Sequence, residues 1–204
     1  MAITINGTGS ITGLTAGGLP DGSVTAADIE TSLDLTGKTV TLPSGTGGKI
    51  LQVVQASKTD TTSTASQDSF VDLGLSASIT PSSTSSKVLV MVSIGRVCKN
   101  NTFIRLCPFR ILRDLTAIGT GDAEGTRLQS NFTISDDQDN NYGGGAAYQY
   151  LDSPSTTSST TYKIQWTGQA GETWYLHRSS VNTNSADTIH TRSASHIILM
   201  EVAG

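Results

Sequence analysis

Side chains that could do chemistry are scattered through this chain rather than grouped. Serine and threonine number 56 of the 204 residues, so a Ser beside a His is expected by chance alone. A nucleophilic serine on a strand-to-helix elbow needs G-x-S-x-G, which does not occur. His177, His190 and His196 lack ligand spacing, and neither H-x-x-x-H nor C-x-x-C is present, so no metal site is expected. Asp137, Asp139 and Asn141 alternate like the first ligands of a calcium loop. The match then fails, because Tyr142 stands where glycine is wanted and Tyr148 where a bidentate Glu is wanted, so a solvated surface loop is expected. Gly119-Thr120-Gly121 lacks the third glycine of a dinucleotide fingerprint. Gly143-Gly144-Gly145 has no following Lys-Ser/Thr and reads as a flexible tip. Asp122, Glu124, Asp136, Asp152 and Glu172 are available for a carboxylate pair, but most acids here lie in Gly/Ser/Asn-rich loops, where carboxylates are normally just solvated. No catalytic residue, metal or cofactor is expected, and the chain reads as a non-enzyme.

Cysteine chemistry is equally sparse. Cys107 precedes Pro108 in an apolar run and suits a buried structural thiol. Cys98 sits by a Lys99-Asn100-Asn101 turn, and a two-residue hairpin there would place Cys107 opposite Ile94, so a disulfide is not the natural pairing. Recognition is the better use for the aromatics, which cluster late: Tyr142, Tyr148, Tyr150, Tyr162, Trp166, Trp174 and Tyr175. Tyr148, Tyr162, Trp166 and Trp174 lie on alternating segments and are expected in the core. Tyr142, in a loop, is expected to be exposed. Loop character marks Asp137, Asp139, Asn141, Tyr142, His177, Arg178 and Asn182 as candidate contacts to a partner.

The composition explains this sparseness. Charged residues are 15% of the chain, against about 25% for an ordinary soluble domain. Net charge is −4, which disfavours sequence-independent phosphate binding. Polarity comes from hydroxyls and backbone. No apolar run approaches the ~18 residues of a membrane span, and no secretory leader is visible.

Two regions differ in texture. Residues 1–69 contain no aromatic, and residues 1–48 are rich in Gly, Thr and Ser. There, Ile3-Thr4-Ile5 before Asn6-Gly7 reads as strand and turn. Leu33-Asp34-Leu35, a Thr36-Gly37-Lys38 turn and Val40-Thr41-Leu42 repeat the pattern weakly. Such a segment has too few large side chains to fold by itself. Its apolar residues Ile3, Ile5, Ile11, Leu14, Leu19, Val24, Ile29 and Leu33 must be covered by another copy or a larger assembly. From residue 49 onward, short alternating segments recur between Ser/Thr/Gly/Asn turns. They are Ile50 to Ala56, Phe70 to Ile79, Val88 to Ile94, Thr102 to Leu112, Tyr148 to Leu151, Tyr162 to Trp166, Trp174 to Leu176 and His196 to Val202, with one more around Phe132-Thr133-Ile134. Val88 to Ile94 is apolar on both faces and is expected at the centre of a sheet. Eight or nine strands and no long helix predict an all-β chain. Residues 49–204 are expected to form a jelly-roll-like antiparallel β-sandwich, after an intertwined β region at 1–48.

Several stretches resemble a known family. Leu14-Thr15-Ala16-Gly17-Gly18-Leu19-Pro20-Asp21-Gly22-Ser23-Val24-Thr25-Ala26-Ala27-Asp28-Ile29 and Leu35-Thr36-Gly37-Lys38-Thr39-Val40-Thr41-Leu42-Pro43 resemble the N-terminal or shaft regions of tailed-bacteriophage fibre proteins. Arg110-Ile111-Leu112-Arg113-Asp114, Tyr150-Leu151-Asp152-Ser153-Pro154 and Ser195-His196-Ile197-Ile198-Leu199-Met200-Glu201 look like the head module of such fibres, as in phages of aquatic bacteria. The resemblance implies a structural virion protein that forms a parallel homotrimer. Residues 1–48 would attach to other virion proteins, and a C-terminal knob would bind a bacterial surface glycan or protein. The net charge and the lack of a long apolar run lead to the expectation of no nucleic-acid partner and no membrane insertion. A capsid decoration, a head fibre or a tail-assembly component without a receptor role fits the same texture. The chain lacks the H-x-H pairs with which some fibres hold metal on their axis.

Overall fold

The computed structural model describes residues 49–100, 105–136 and 142–204. The alternating segments become strands, and the strands build two antiparallel sheets. The larger sheet holds β1 (Ile50–Lys58), β2 (Thr62–Thr64), β4 (Lys87–Lys99), β8 (Gly144–Asp152), β10 (Trp174–Leu176) and β11 (Ser195–Val202). In the smaller sheet lie β3 (Val71–Ile79), β5 (Arg105–Arg113), β6 (Thr116–Ile118), β7 (Phe132–Asp136) and β9 (Thr160–Trp166). A single 3-10 turn, Thr188–His190, is the helical element among the described residues. The unit is an all-β antiparallel sandwich, as the turn-punctuated pattern predicted.

β4 organises the larger sheet. It is 13 residues long, with β11 and then β10 along one edge and β8 along the other. Its inward residues Val88, Val90, Val92, Ile94 and Val97 are buried. Facing them are Leu73, Leu75 and Ile79 of β3, Phe109 and Ile111 of β5, and Tyr162, Ile164 and Trp166 of β9. The expected core aromatics Tyr162, Trp166 and Trp174 are buried, and Tyr148 is half-buried against the core. Phe109 and Phe132 stack at 5.1 Å, and Phe132 meets Tyr148 at 5.7 Å, so rings bridge the two sheets where β7 approaches β8. Offset ring pairs of this kind add about 0.5–1.5 kcal/mol beyond their burial.

Three expectations need correction. First, β4 and β5 are not a hairpin: they lie in different sheets, so Cys107 does not oppose Ile94 on a shared ladder. Both thiols are buried, Cys98 donating to the Arg178 carbonyl at 3.0 Å and Cys107 to that of Thr167 at 3.2 Å. Burial pushes the Cys107 thiol far up, so it stays protonated. Second, Gly143-Gly144-Gly145 is no free tip, because Gly144 and Gly145 already belong to β8. A Cβ at Gly143 would lie 2.3 Å from the Val97 carbonyl oxygen, and one at Gly145 would lie 2.7 Å from that of Ile94. The glycines let β8 pass the register shift between Ile94 and Val97 of β4. Third, Asp152 and Glu172 are buried rather than solvated. Arg113 Nη1 donates to both Asp152 carboxylate oxygens at 2.9 Å, and Tyr162 adds its hydroxyl at 2.7 Å. Glu172 pairs with Arg105 at 3.3 Å.

Candidate functional site

Two surfaces of the larger sheet stand apart from ordinary hydrated surface. The first is its outer face. Strand alternation sends Val53 of β1, Met200 of β11, Leu89 of β4 and Leu151 of β8 outward. Register makes them direct neighbours: Val53 opposes Met200, Met200 opposes Leu89, and Leu89 opposes Leu151. Four apolar side chains therefore form one unbroken row across four strands. Val53 is 56% exposed and Leu151 45%, while the two middle residues are half-buried by their neighbours. The next row is Gln55, Ile198, Met91 and Gln149, and the next is Ser57, His196, Ser93 and Ala147. The face thus grades from apolar to polar along the strands. A shallow concavity of about 520 Å³ lies over the second and third rows, lined by Met91, Ser93, Ala147, Gln149, His196 and Ile198 among others. His196 Nδ1 lies 2.8 Å from the Ser57 hydroxyl, so the polar end is internally paired.

The second surface is a groove of about 410 Å³ at the end of β8. Its floor is Gly95 and Gly143 to Gly145, and its walls are Arg96, Tyr142, Thr188, Ile189 and Thr191. Tyr142 is 60% exposed, as its loop position predicted. Hydrogen bonds tie down the opposite wall. Asp187 caps the 3-10 turn by accepting from the Ile189 amide at 3.2 Å. Arg96 donates through Nη1 to the Ile189 carbonyl, and its amide donates to Ser193 Oγ at 2.8 Å. Arg96 Nε is buried without a hydrogen-bond partner among the described residues.

The candidate contacts inferred from loop character separate on this structure. Tyr142 lines the groove. His177 is fully buried and leaves the set of surface contacts, which is a correction to its loop reading. It sits at φ 63°, a left-handed conformation, and its ring is pinned at both nitrogens. Nδ1 lies 2.8 Å from the Asp60 carbonyl, which can only accept, so Nδ1 carries the proton. Nε2, at 2.7 Å, then accepts from the Ser195 hydroxyl, whose oxygen also accepts from the Gly95 amide at 2.9 Å. The Ser–His contact of a nucleophile is present, but the third partner is a backbone carbonyl and Ser195 is fully buried. The network ties β4, β11 and the turn at Asp60 together. Burial, with Lys58 nearby, holds the His177 pKa below its ordinary value. Arg178 is half-buried, its guanidinium 3.9 Å over the Tyr175 ring and bonded to the Ser179 and Ser180 carbonyls. Asn182 is exposed at φ 54° and accepts from Arg192 at 2.7 Å. Asp137, Asp139 and Asn141 lie outside the described residues, as do Ile3, Ile5, Ile11, Leu14, Leu19, Val24, Ile29 and Leu33.

Arg96, Thr188 and Thr191 were not singled out in the sequence. Arg96 sits inside an apolar strand run, and the threonines are two of many. Only the fold brings them to Tyr142. Among the described residues no three of His, Cys, Asp and Glu converge as a metal centre, and no helix is long and apolar enough to cross a membrane. The chain matches no family model and no curated protein.

Proposed function

We propose that the chain is a non-enzymatic structural fibre protein of a bacteriophage virion. In this reading it is a homotrimer made in the host cytoplasm, and residues 49–204 form an adhesive knob for a bacterial surface glycan or protein. Residues 1–48 attach the fibre to other virion proteins and contribute trimer contacts. The observation that carries the assembly is the apolar row Val53–Met200–Leu89–Leu151 on an outer sheet face. A monomer rarely leaves such a row in water, and another copy of the same face supplies a neutral, apolar cover. Four strands at ~4.8 Å spacing give only about 19 Å of sheet width. A stable interface needs about 800 Å² from each partner, so this face must act together with further surface, and the apolar residues of 1–48 are the available source. Three weak sites on one head gain by avidity.

Light scattering on the full-length chain after size exclusion is expected to give the mass of three chains. Val53→Lys with Leu151→Lys places like charges on the exposed ends of the row and is expected to lower that mass towards one chain without changing the β-sheet circular dichroism. A wild-type monomer overturns the self-assembled fibre and favours a virion component that is completed only on the particle.

A further inference from the structure

The groove beside Tyr142 has chemistry that the assembly reading does not use. Among the described residues its lining contains one cation, Arg96, and no carboxylate. Two threonines, Thr188 and Thr191, supply hydroxyls, and the glycine floor leaves backbone within reach of a ligand. Tyr142 stands exposed at the rim. A rigid aromatic ring beside small polar groups gives adaptable recognition at low conformational cost. Apolar ring faces with hydroxyls around their rims are the complement, and a saccharide has both. The volume lies within the ~300–1,000 Å³ range of small-ligand clefts.

Arg96 narrows the ligand further. One of its nitrogens is committed to the Ile189 carbonyl, and Nε has no partner among the described residues. A buried donor left unmade is costly, and a guanidinium edge takes a carboxylate in two parallel hydrogen bonds. An anion that draws the guanidinium towards the groove would satisfy it. Sugar rings that carry carboxylates supply both requirements, a ring face for Tyr142 and an anion for Arg96.

We infer that the groove formed by Arg96, Tyr142, Gly143 to Gly145, Thr188 and Thr191 binds a carboxylate-bearing saccharide of a cell-surface polysaccharide. This rests on the adhesion reading above and names the ligand class for it. The full-length chain is to be titrated on one array of hexuronate oligosaccharides and neutral hexose oligosaccharides of equal length. Binding to the hexuronates at least tenfold tighter than to the neutral sugars is expected. Tyr142→Ala, which removes an exposed ring, is expected to weaken hexuronate binding at least tenfold with no change in melting temperature. Arg96→Gln is expected to erase the preference for the acidic sugars. Because Arg96 also braces Ile189, Thr191→Val serves as a second wall variant and is expected to weaken binding severalfold. Equal binding of acidic and neutral sugars by the wild type, or hexuronate binding insensitive to Tyr142→Ala, overturns the groove and leaves adhesion through another surface standing. Binding to no saccharide on the array overturns the groove and removes the glycan arm of the adhesion reading with it.

Discussion

The two faces of β11 show how one strand divides its work. Its inward residues are Ser195, Ile197, Leu199 and Glu201, all buried. Its outward residues are His196, Ile198, Met200 and Val202, none fully buried. The inner face is apolar in its middle and polar at its ends, yet both ends are satisfied. Ser195 is held by His177 and the Gly95 amide. Glu201 accepts from the Ser82 amide and hydroxyl at 2.7 and 2.6 Å and from Gln52 at 2.6 Å. Burial pushes the Glu201 carboxyl up, but these hydrogen bonds outweigh it and hold the pKa at about 2. The outer face is nearly as apolar, and beyond the His196–Ser57 pair its apolar residues Ile198, Met200 and Val202 are left partly open. An inner side chain is thus committed to folding, while an outer one remains free for another molecule.

That contrast is sharpest as a pair of substitutions on the neighbouring strands β11 and β1. Leu199→Ala on the inner face is expected to cost about 2–5 kcal/mol, a large share of the ~5–15 kcal/mol that stabilises a domain. Urea unfolding of the full chain measures it, and a change under about 1 kcal/mol would show that the inner face is loosely packed. Val53→Lys on the outer face, a residue 56% exposed, should shift the urea midpoint far less than Leu199→Ala and chiefly lower the solution mass. If both variants shift stability alike, the distinction between the faces fails.

The polar clamp between the sheets gives a smaller effect. Asp152 ends β8 in the larger sheet, while Arg113 and Tyr162 belong to β5 and β9 in the smaller one. Burial and the Asp152 carboxylate push the Tyr162 phenol far above its ordinary pKa, so it remains a donor. Tyr162→Phe removes one of three hydrogen bonds to a buried carboxylate, and a loss of about 1–3 kcal/mol is expected. The same urea series reads it. A neutral result would mean that Arg113 alone satisfies Asp152.

Periodicity carried the strands where both neighbours were strongly patterned. Tyr162 to Trp166, Trp174 to Leu176 and His196 to Val202 are visible as alternation, and the structure places strands there. Val88 to Ile94 was legible as central because Leu89 and Met91 add apolar residues on the second face, and β4 does have strands on both sides. Thr62–Thr64 and Thr116–Ile118 were not legible, since each is three residues without an aromatic, whereas the equally short Trp174–Leu176 carries two. The partner of each strand was also hidden. The turn after Lys99 looked like a hairpin locally, but β4 already has partners along both edges, so β5 goes to the other sheet. The groove was half legible: Tyr142 stood out as a loop aromatic, whereas Arg96 comes from a strand 46 positions away in sequence, and only the pairing of β4 with β8 joins them.

His177 gives the smallest and most diagnostic effect, because its burial separates a structural histidine from a surface contact. In the folded chain its pKa lies below the ordinary 6.5, from burial first and then the charge of Lys58, with Asp60 and His196 also facing it. The unfolded chain therefore takes up this proton at a higher pH than the folded chain does. Above about pH 6.5 both states hold neutral imidazole and nothing is lost. As pH falls below that value the unfolded state gains the proton first, and stability declines until the folded pKa is passed. Urea midpoints of the full chain at pH 7.5, 6.5 and 5.5 are expected to fall in that order. His177→Asn suits the test, since asparagine tolerates the left-handed backbone at this position. It should be less stable than wild type at pH 7.5, having lost the Ser195 and Asp60 pairing, but its midpoint should change less with pH. A wild-type slope that survives in His177→Asn would show that another group carries the pH dependence and place His177 in an environment wetter than its burial allows.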